Sequence, residues 1–247
     1  MGHHDYLVLA LLFLVPGTLF WFVRADLRGL MRGAAVMALP FATTEWLFYP
    51  EYWAPKFLFD LADRIGFGIE DVLLLVGLAA FTSTAYAVAF RRTVVLVVPG
   101  TRPWKRMGGG VVAVLGVAAL LLGLDVPILY ASVAAMVSTT VLVLVLRSDL
   151  VIPSVLGAGV SVVIYFGLCL LFEALMPGAA VERIWKPSVF LEGRLLGVPL
   201  DEILYGLGAG FAGTAFPAWA LGLRFVPLAQ GSESSAEKSR STSSRVL

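Results

Sequence analysis

Residues 195–211 read LLGVPLDEILYGLGAGF, a proline and two adjacent acids at the mouth of a long apolar run. Proline suits the first turn of a helix, and acidic side chains there complement the positive end of the helix dipole. An ordinary helix start would account for the stretch if it stood alone. It does not: GIEDVLLLVGLAAF, residues 68–81, repeats the arrangement earlier in the chain, with Glu70 and Asp71 in the places of Asp201 and Glu202.

The surroundings of both stretches are those of a bilayer protein. Of 247 residues, 59% are hydrophobic and only 14% charged, where a soluble domain carries about a quarter charged residues. Mean hydropathy is +0.90. A net charge of +1 gives no electrostatic reason for a nucleic-acid partner. The single cysteine, Cys169, lies in an apolar run and reads as a packing residue. His3 and His4 sit near the N-terminus, asparagine is absent and Gln230 is the only glutamine. Polar chemistry inside the membrane therefore falls to carboxylates, hydroxyls, arginines and aromatic rings.

A helix needs about 20 mainly apolar residues to cross a bilayer. Seven stretches qualify, at 6–23, 31–49, 70–90, 108–124, 126–146, 150–172 and 203–226. The first lacks a basic flank and a small-residue cleavage site, so it reads as a retained span rather than a signal peptide. The expected fold class is all-α, a polytopic membrane protein. With the N-terminus outside and the C-terminus cytoplasmic, thirteen lysines and arginines fall on the inner side and five on the outer. This matches the bias of positive charge toward the cytoplasm.

Laid side by side, the spans repeat. FVRADLRG (22–29) follows span 1 and LVLRSDLV (144–151) follows span 5; their arginine–aspartate pairs read as topology anchors. TEWLFYP (44–50) ends span 2 and LLFEALMP (170–177) ends span 6, and a tryptophan-bearing loop follows each. The expected organisation is a 3+1+3 parallel repeat. Residues 1–107 hold the first three-span unit and its cytoplasmic loop, 108–125 a linking helix, 126–228 the second unit, and 229–247 a disordered cytoplasmic tail.

Six acids, Glu45, Glu70, Asp71, Glu173, Asp201 and Glu202, then lie at one membrane face. Ionisable groups near hydrocarbon are costly and are functional candidates by default. The matched pairs weaken the purely structural reading. Trp46, Tyr49, Tyr52, Trp53, Trp185 and Tyr205 gather around the same elements. An interfacial aromatic belt would also place tryptophan and tyrosine there.

The tryptophan-bearing loop, the Pro-x-acid-acid turn and the span after it resemble the lycopene cyclase domain of bacteria, archaea and fungi. The resemblance runs from residue 1 to about 226 and is sharpest at Pro199-Leu200-Asp201-Glu202. The family's usual turn is Pro-x-Glu-Glu; here aspartate takes the first acidic place, and Gly68 replaces the proline in the first half. The resemblance implies a membrane-embedded, redox-neutral ring closure of the ends of lycopene, giving β-rings, with no cofactor and no metal. It implies a lipophilic carotenoid substrate, surrounding membrane lipid, and room for association with other carotenoid enzymes. An acid protonates the terminal double bond, a neighbouring double bond attacks the cation, and a base removes a proton. Adjacent acids can divide those roles. On this reading the six acids are catalytic candidates, and Trp46, Tyr49, Tyr52, Trp53, Trp185, Pro199 and Tyr205 line the substrate. Aromatic faces are worth about 0.5–2 kcal/mol each to a cation.

Other chemistries fit less well. No GxGxxG segment follows a strand, as the flavin-dependent cyclase type with its dinucleotide fold would require. A 3+1+3 sugar-type transporter needs hydrogen-bonding groups at the bilayer centre, and the acids here sit at one face. A retinal protein needs a lysine inside a span, and every lysine lies in a loop or the tail. A magnesium-diphosphate prenyltransferase needs aspartate-rich loops. A non-catalytic cyclase partner is disfavoured because one chain holds both acidic pairs.

Overall fold

Helices that are apolar on every face form α1 (Asp5–Val23), α5 (Ile69–Ala89), α7 (Ile128–Leu146) and α8 (Val151–Leu175). Such helices are stable only where no face needs water. The computed structural model describes residues 4–98, 102–176, 184–185 and 191–228. Among the described residues, the other α-helices and β-strands are α2 (Arg28–Ala42), α3 (Glu45–Phe48), α4 (Leu61–Ile65), β1 (Arg92–Leu96), α6 (Pro103–Leu122), β2 (Arg194–Leu195), β3 (Val198–Pro199), α9 (Leu200–Ala220) and β4 (Leu223–Pro227). The expected tail at 229–247 and much of the second tryptophan-bearing loop lie outside the described residues.

Among the described residues, five helices are long and apolar enough to cross a membrane: Asp5–Val23, Ile69–Ala89, Pro103–Leu122, Ile128–Leu146 and Ser148–Leu175. Their outer faces leave Phe22 73% and Val145 76% exposed, a surface suited to lipid rather than water. Two expected spans differ from this group. The second, expected over 31–49, leaves the helix after Ala42, where the Thr43 and Thr44 hydroxyls donate back to the carbonyls of Pro40 and Phe41, both at 2.7 Å. The last, expected over 203–226, runs from Leu200 to Ala220; Gly222, at a φ of 67°, then turns the chain into β4. Its small residues dilute its hydropathy because α9 is buried in the bundle instead of facing lipid.

Two short antiparallel sheets qualify the all-α expectation. β1 pairs with β4, from Arg92 opposite Pro227 to Leu96 opposite Leu223, and β2 pairs with β3. The Arg-x-Asp segments explain the first pairing. Arg24 bonds Asp26 at 2.8 Å and also reaches the carbonyl of Arg92 at the start of β1. Arg147 bonds Asp149 at 2.7 Å and donates to the carbonyl of Leu223 in β4 at 2.8 Å. The segments form local ion pairs, and each additionally clamps the strand that follows its own half.

In each half the third long helix packs on the first two: α5 on α1 and α2, and α9 on α7 and α8. The halves meet through α5, α8 and α9, while α6 leans on α2, α7 and α9. Glycines set these distances. A Cβ on Gly77 would stand 2.5 Å from the Phe13 carbonyl of α1, and one on Gly210 would stand 2.5 Å from Ser161 of α8. Where α5 and α9 cross, the Thr214 hydroxyl donates to the Thr82 carbonyl at 3.1 Å. The N-termini of α1, α5, α7 and α9 therefore share one end of the bundle, and the Arg-x-Asp clamps sit at the other.

Gly77→Val should overpack the α1–α5 contact and cost about 1–3 kcal/mol, read as a lowered unfolding temperature in detergent. Gly116→Val, at a glycine with nothing within 4 Å of its Cβ position, should leave that temperature nearly unchanged.

Candidate active site

Consecutive helical residues point about 100° apart, so the two acids of each pair cannot face the same way. At the start of α5, Asp71 accepts the Gly68 backbone N–H at 2.6 Å and caps the helix. Its other oxygen accepts the Tyr6 phenol of α1. Glu70 turns elsewhere and accepts the Leu58 backbone N–H at 2.7 Å. At the start of α9 the cap position is Pro199, which has no N–H to offer. Glu202 is thereby free of capping and turns fully inward. It accepts the Tyr52 phenol and the Trp185 indole N–H, each at 2.6 Å, and the Tyr165 phenol. Asp201 accepts the Tyr130 phenol of α7 at 2.6 Å.

All four acids are buried, Glu70 completely and Glu202 to 4% exposure. Glu45, also buried, accepts the Trp53 indole N–H at 2.6 Å. It stands close enough to Asp71 for the two carboxyls to interact. Burial, and then the neighbouring Glu202 carboxylate, push the Tyr52 phenol up, so Tyr52 remains a hydrogen-bond donor.

A cavity of about 440 Å³ opens among these groups. Glu45, Asp71 and Glu202 line it, whereas Glu70, Asp201 and Glu173 are not among its lining residues. Along α9 its wall extends from Glu202 to Pro217, a length of about 22 Å at 1.5 Å per residue. Apart from the acids and phenols at one end, the wall is mostly hydrocarbon, with Met37, Leu78, Val114 and Phe216 along it. The arrangement suits a long apolar molecule with one end placed among carboxyl groups.

Aromatic rings enclose the acidic end. Tyr6 meets Trp53 edge-on at 4.7 Å and Phe57 at 5.2 Å. Trp53 and Trp185, one from each half, approach to 5.7 Å and form a backbone bridge. Tyr165 packs on Phe13 at 4.9 Å and on Tyr205 at 6.3 Å. Of the residues singled out from sequence, Tyr52, Trp53, Trp185 and Tyr205 line the cavity. Trp46 is 63% exposed and points away. Tyr49 packs on Phe57 at 5.5 Å, Pro199 caps α9, and Glu173 is half-buried near the end of α8.

Sequence reasoning missed Tyr6, Tyr130 and Tyr165. Their signal was present: a tyrosine within an apolar span needs a partner for its hydroxyl. Which acid each would meet depends on helix packing. Among the described residues no group of three or more His, Cys, Asp and Glu side chains is placed to hold a metal ion.

Residues 127–220 match the family model described as Lycopene cyclase. The match begins at the cap of α7 and ends with the last residue of α9. The lycopene cyclase resemblance is thereby shown over that three-helix unit. Comparison with curated proteins and with solved structures gives no match.

Tyr165→Phe should leave one Glu202 oxygen short of a donor in a buried site and cost about 1–3 kcal/mol. Denaturant unfolding in detergent, followed by tryptophan fluorescence, checks this.

Proposed function

We propose, from the premise that residues 127–220 carry a lycopene cyclase domain, that the chain is a membrane-embedded carotenoid cyclase closing the ends of lycopene into β-rings. The observation that carries this reading is the apolar cavity with Glu45, Asp71 and Glu202 at its aromatic-walled end. A linear polyene lies along α9 with its terminus among the carboxyls.

The reaction neither gains nor loses atoms. The Glu45–Asp71 pair gives a proton to the terminal double bond, leaving a tertiary cation. A neighbouring double bond attacks that carbon, the ring bond forms, and the positive charge moves into the new ring. Glu202 then accepts a ring proton, and the electrons of that C–H bond become the ring double bond. Glu202 suits the role of acceptor because three hydrogen-bond donors converge on it. Between the two proton transfers, Tyr6, Trp53, Trp185 and Tyr205 present ring faces and edges that exclude water, and faces turned toward the cation stabilise it.

The wider architecture belongs to the same proposal. Seven spans form two parallel three-helix units joined by α6, with the N-terminus outside and the C-terminus cytoplasmic. The like packing of α5 and α9 within their halves supports the repeat, and the thirteen-to-five split of basic residues supports the orientation. The first half lies outside the family match. It joins the domain through its own acid pair and through Tyr52, which serves Glu202 of the second half.

Expression in a lycopene-accumulating host should convert the red pigment to yellow-orange cyclic products. Unchanged lycopene, with the protein in the membrane, would overturn the reading. Asp71→Asn and Glu202→Gln should each slow cyclisation by about 10²–10⁴-fold, measured by chromatography of the pigments. For orientation, a cysteine placed at Lys238 in a Cys169→Ser background should react with a membrane-impermeant thiol reagent only after the cells are opened.

A further inference from the structure

We infer that the two acids of each pair have different duties: the second acts at the cavity, while the first, Glu70 or Asp201, is a positioning residue that latches the loop over it. The inference rests on the cyclase reading for the meaning of the second acid, and on geometry alone for the latch.

Glu70 grips the first loop directly. Its Oε1 accepts the N–H of Leu58, the residue after Phe57, whose ring packs on Tyr6. Its Oε2 is buried with no hydrogen-bond partner among the described residues. Gly68 is shaped to this contact, because a Cβ there would stand 2.5 Å from the Phe57 ring and 2.6 Å from Glu70 Oε2. Asp201 grips the second loop at one remove. It accepts the Tyr130 phenol, whose oxygen in turn accepts the Leu191 N–H at 3.0 Å. The two loops are tied to each other where the Ala54 N–H donates to the Ile184 carbonyl at 2.9 Å. Both first acids therefore hold loop backbone, at Leu58 five residues after Trp53 and at Leu191 six residues after Trp185, and neither is among the residues lining the cavity.

A latch needs an acceptor oxygen and no proton transfer, so an amide can replace it. Glu70→Gln and Asp201→Asn should keep kcat for cyclisation within about threefold of wild type, against the much larger loss in Glu202→Gln. Glu70→Ala should raise KM several-fold with a smaller change in kcat. It should also speed tryptic cleavage at the exposed Lys56 and Arg64 by about tenfold, and Glu70→Gln should restore both. Proteolysis is read on the full chain in detergent without substrate, so it reports on the latch even if the cyclase reading fails. A loss of kcat in Glu70→Gln or Asp201→Asn as deep as that in Glu202→Gln would overturn the division of duties. Unchanged cleavage at Lys56 in Glu70→Ala would overturn the latch.

Discussion

A carboxylate inside an apolar bundle is tolerable only where donors converge on it, and that demand organises this molecule around Glu202. Its three donors come from three places: Tyr165 in α8, Trp185 in the second loop and Tyr52 in the first. Satisfying one side chain thus fixes a helix and two loops relative to each other, and ties the first half of the chain to the second. The contact between Trp53 and Trp185 follows, since each indole also serves an acid, Glu45 for Trp53 and Glu202 for Trp185. The aromatic enclosure and the buried charge are one construction.

The two halves solve the same problem differently, and one residue decides how. Gly68 has a backbone N–H that must be satisfied, and Asp71 spends one oxygen on it. Pro199 has none, so Glu202 gives both oxygens to the site. The acid turns are alike in sequence and unlike in chemistry. Asp71 is a helix cap that also borders the cavity; Glu202 is committed to the cavity entirely. This asymmetry fits one half supplying a proton and the other receiving it.

Packing and function make compatible demands on α9. Small residues let α8 and α5 approach closely, through Gly210 against Ser161 and Thr214 against Thr82. Their small neighbours Ala209, Ala212 and Gly213 line the cavity that runs from Glu202 to Pro217 and leave room for it. Far from the acids, Arg24 and Arg147 clamp β1 and β4 and close the opposite end of the bundle. The site is built where helix N-termini and loops meet, and the clamps hold the other end together.

Periodicity and composition alone carried a good deal. Long apolar runs must be helices in lipid, because backbone polar groups there have no other partner, and the Pro-x-acid-acid turn marked the resemblance that the match over residues 127–220 bears out. These features are local, so the sequence displays them. What only the tertiary structure decided was direction. Two neighbouring acids on a helix diverge by about 100°, and which of them meets the cavity depends on where other helices stand. Tyr6, Tyr130 and Tyr165 lie 65, 71 and 37 residues from the acids they serve, too far for any local pattern to pair them. Likewise α9 reads as one more span, and only its neighbours make it the buried wall of the site. The sequence determined which residues could carry chemistry; the packing of α1, α7 and α8 against α5 and α9 determined which of them face the cavity.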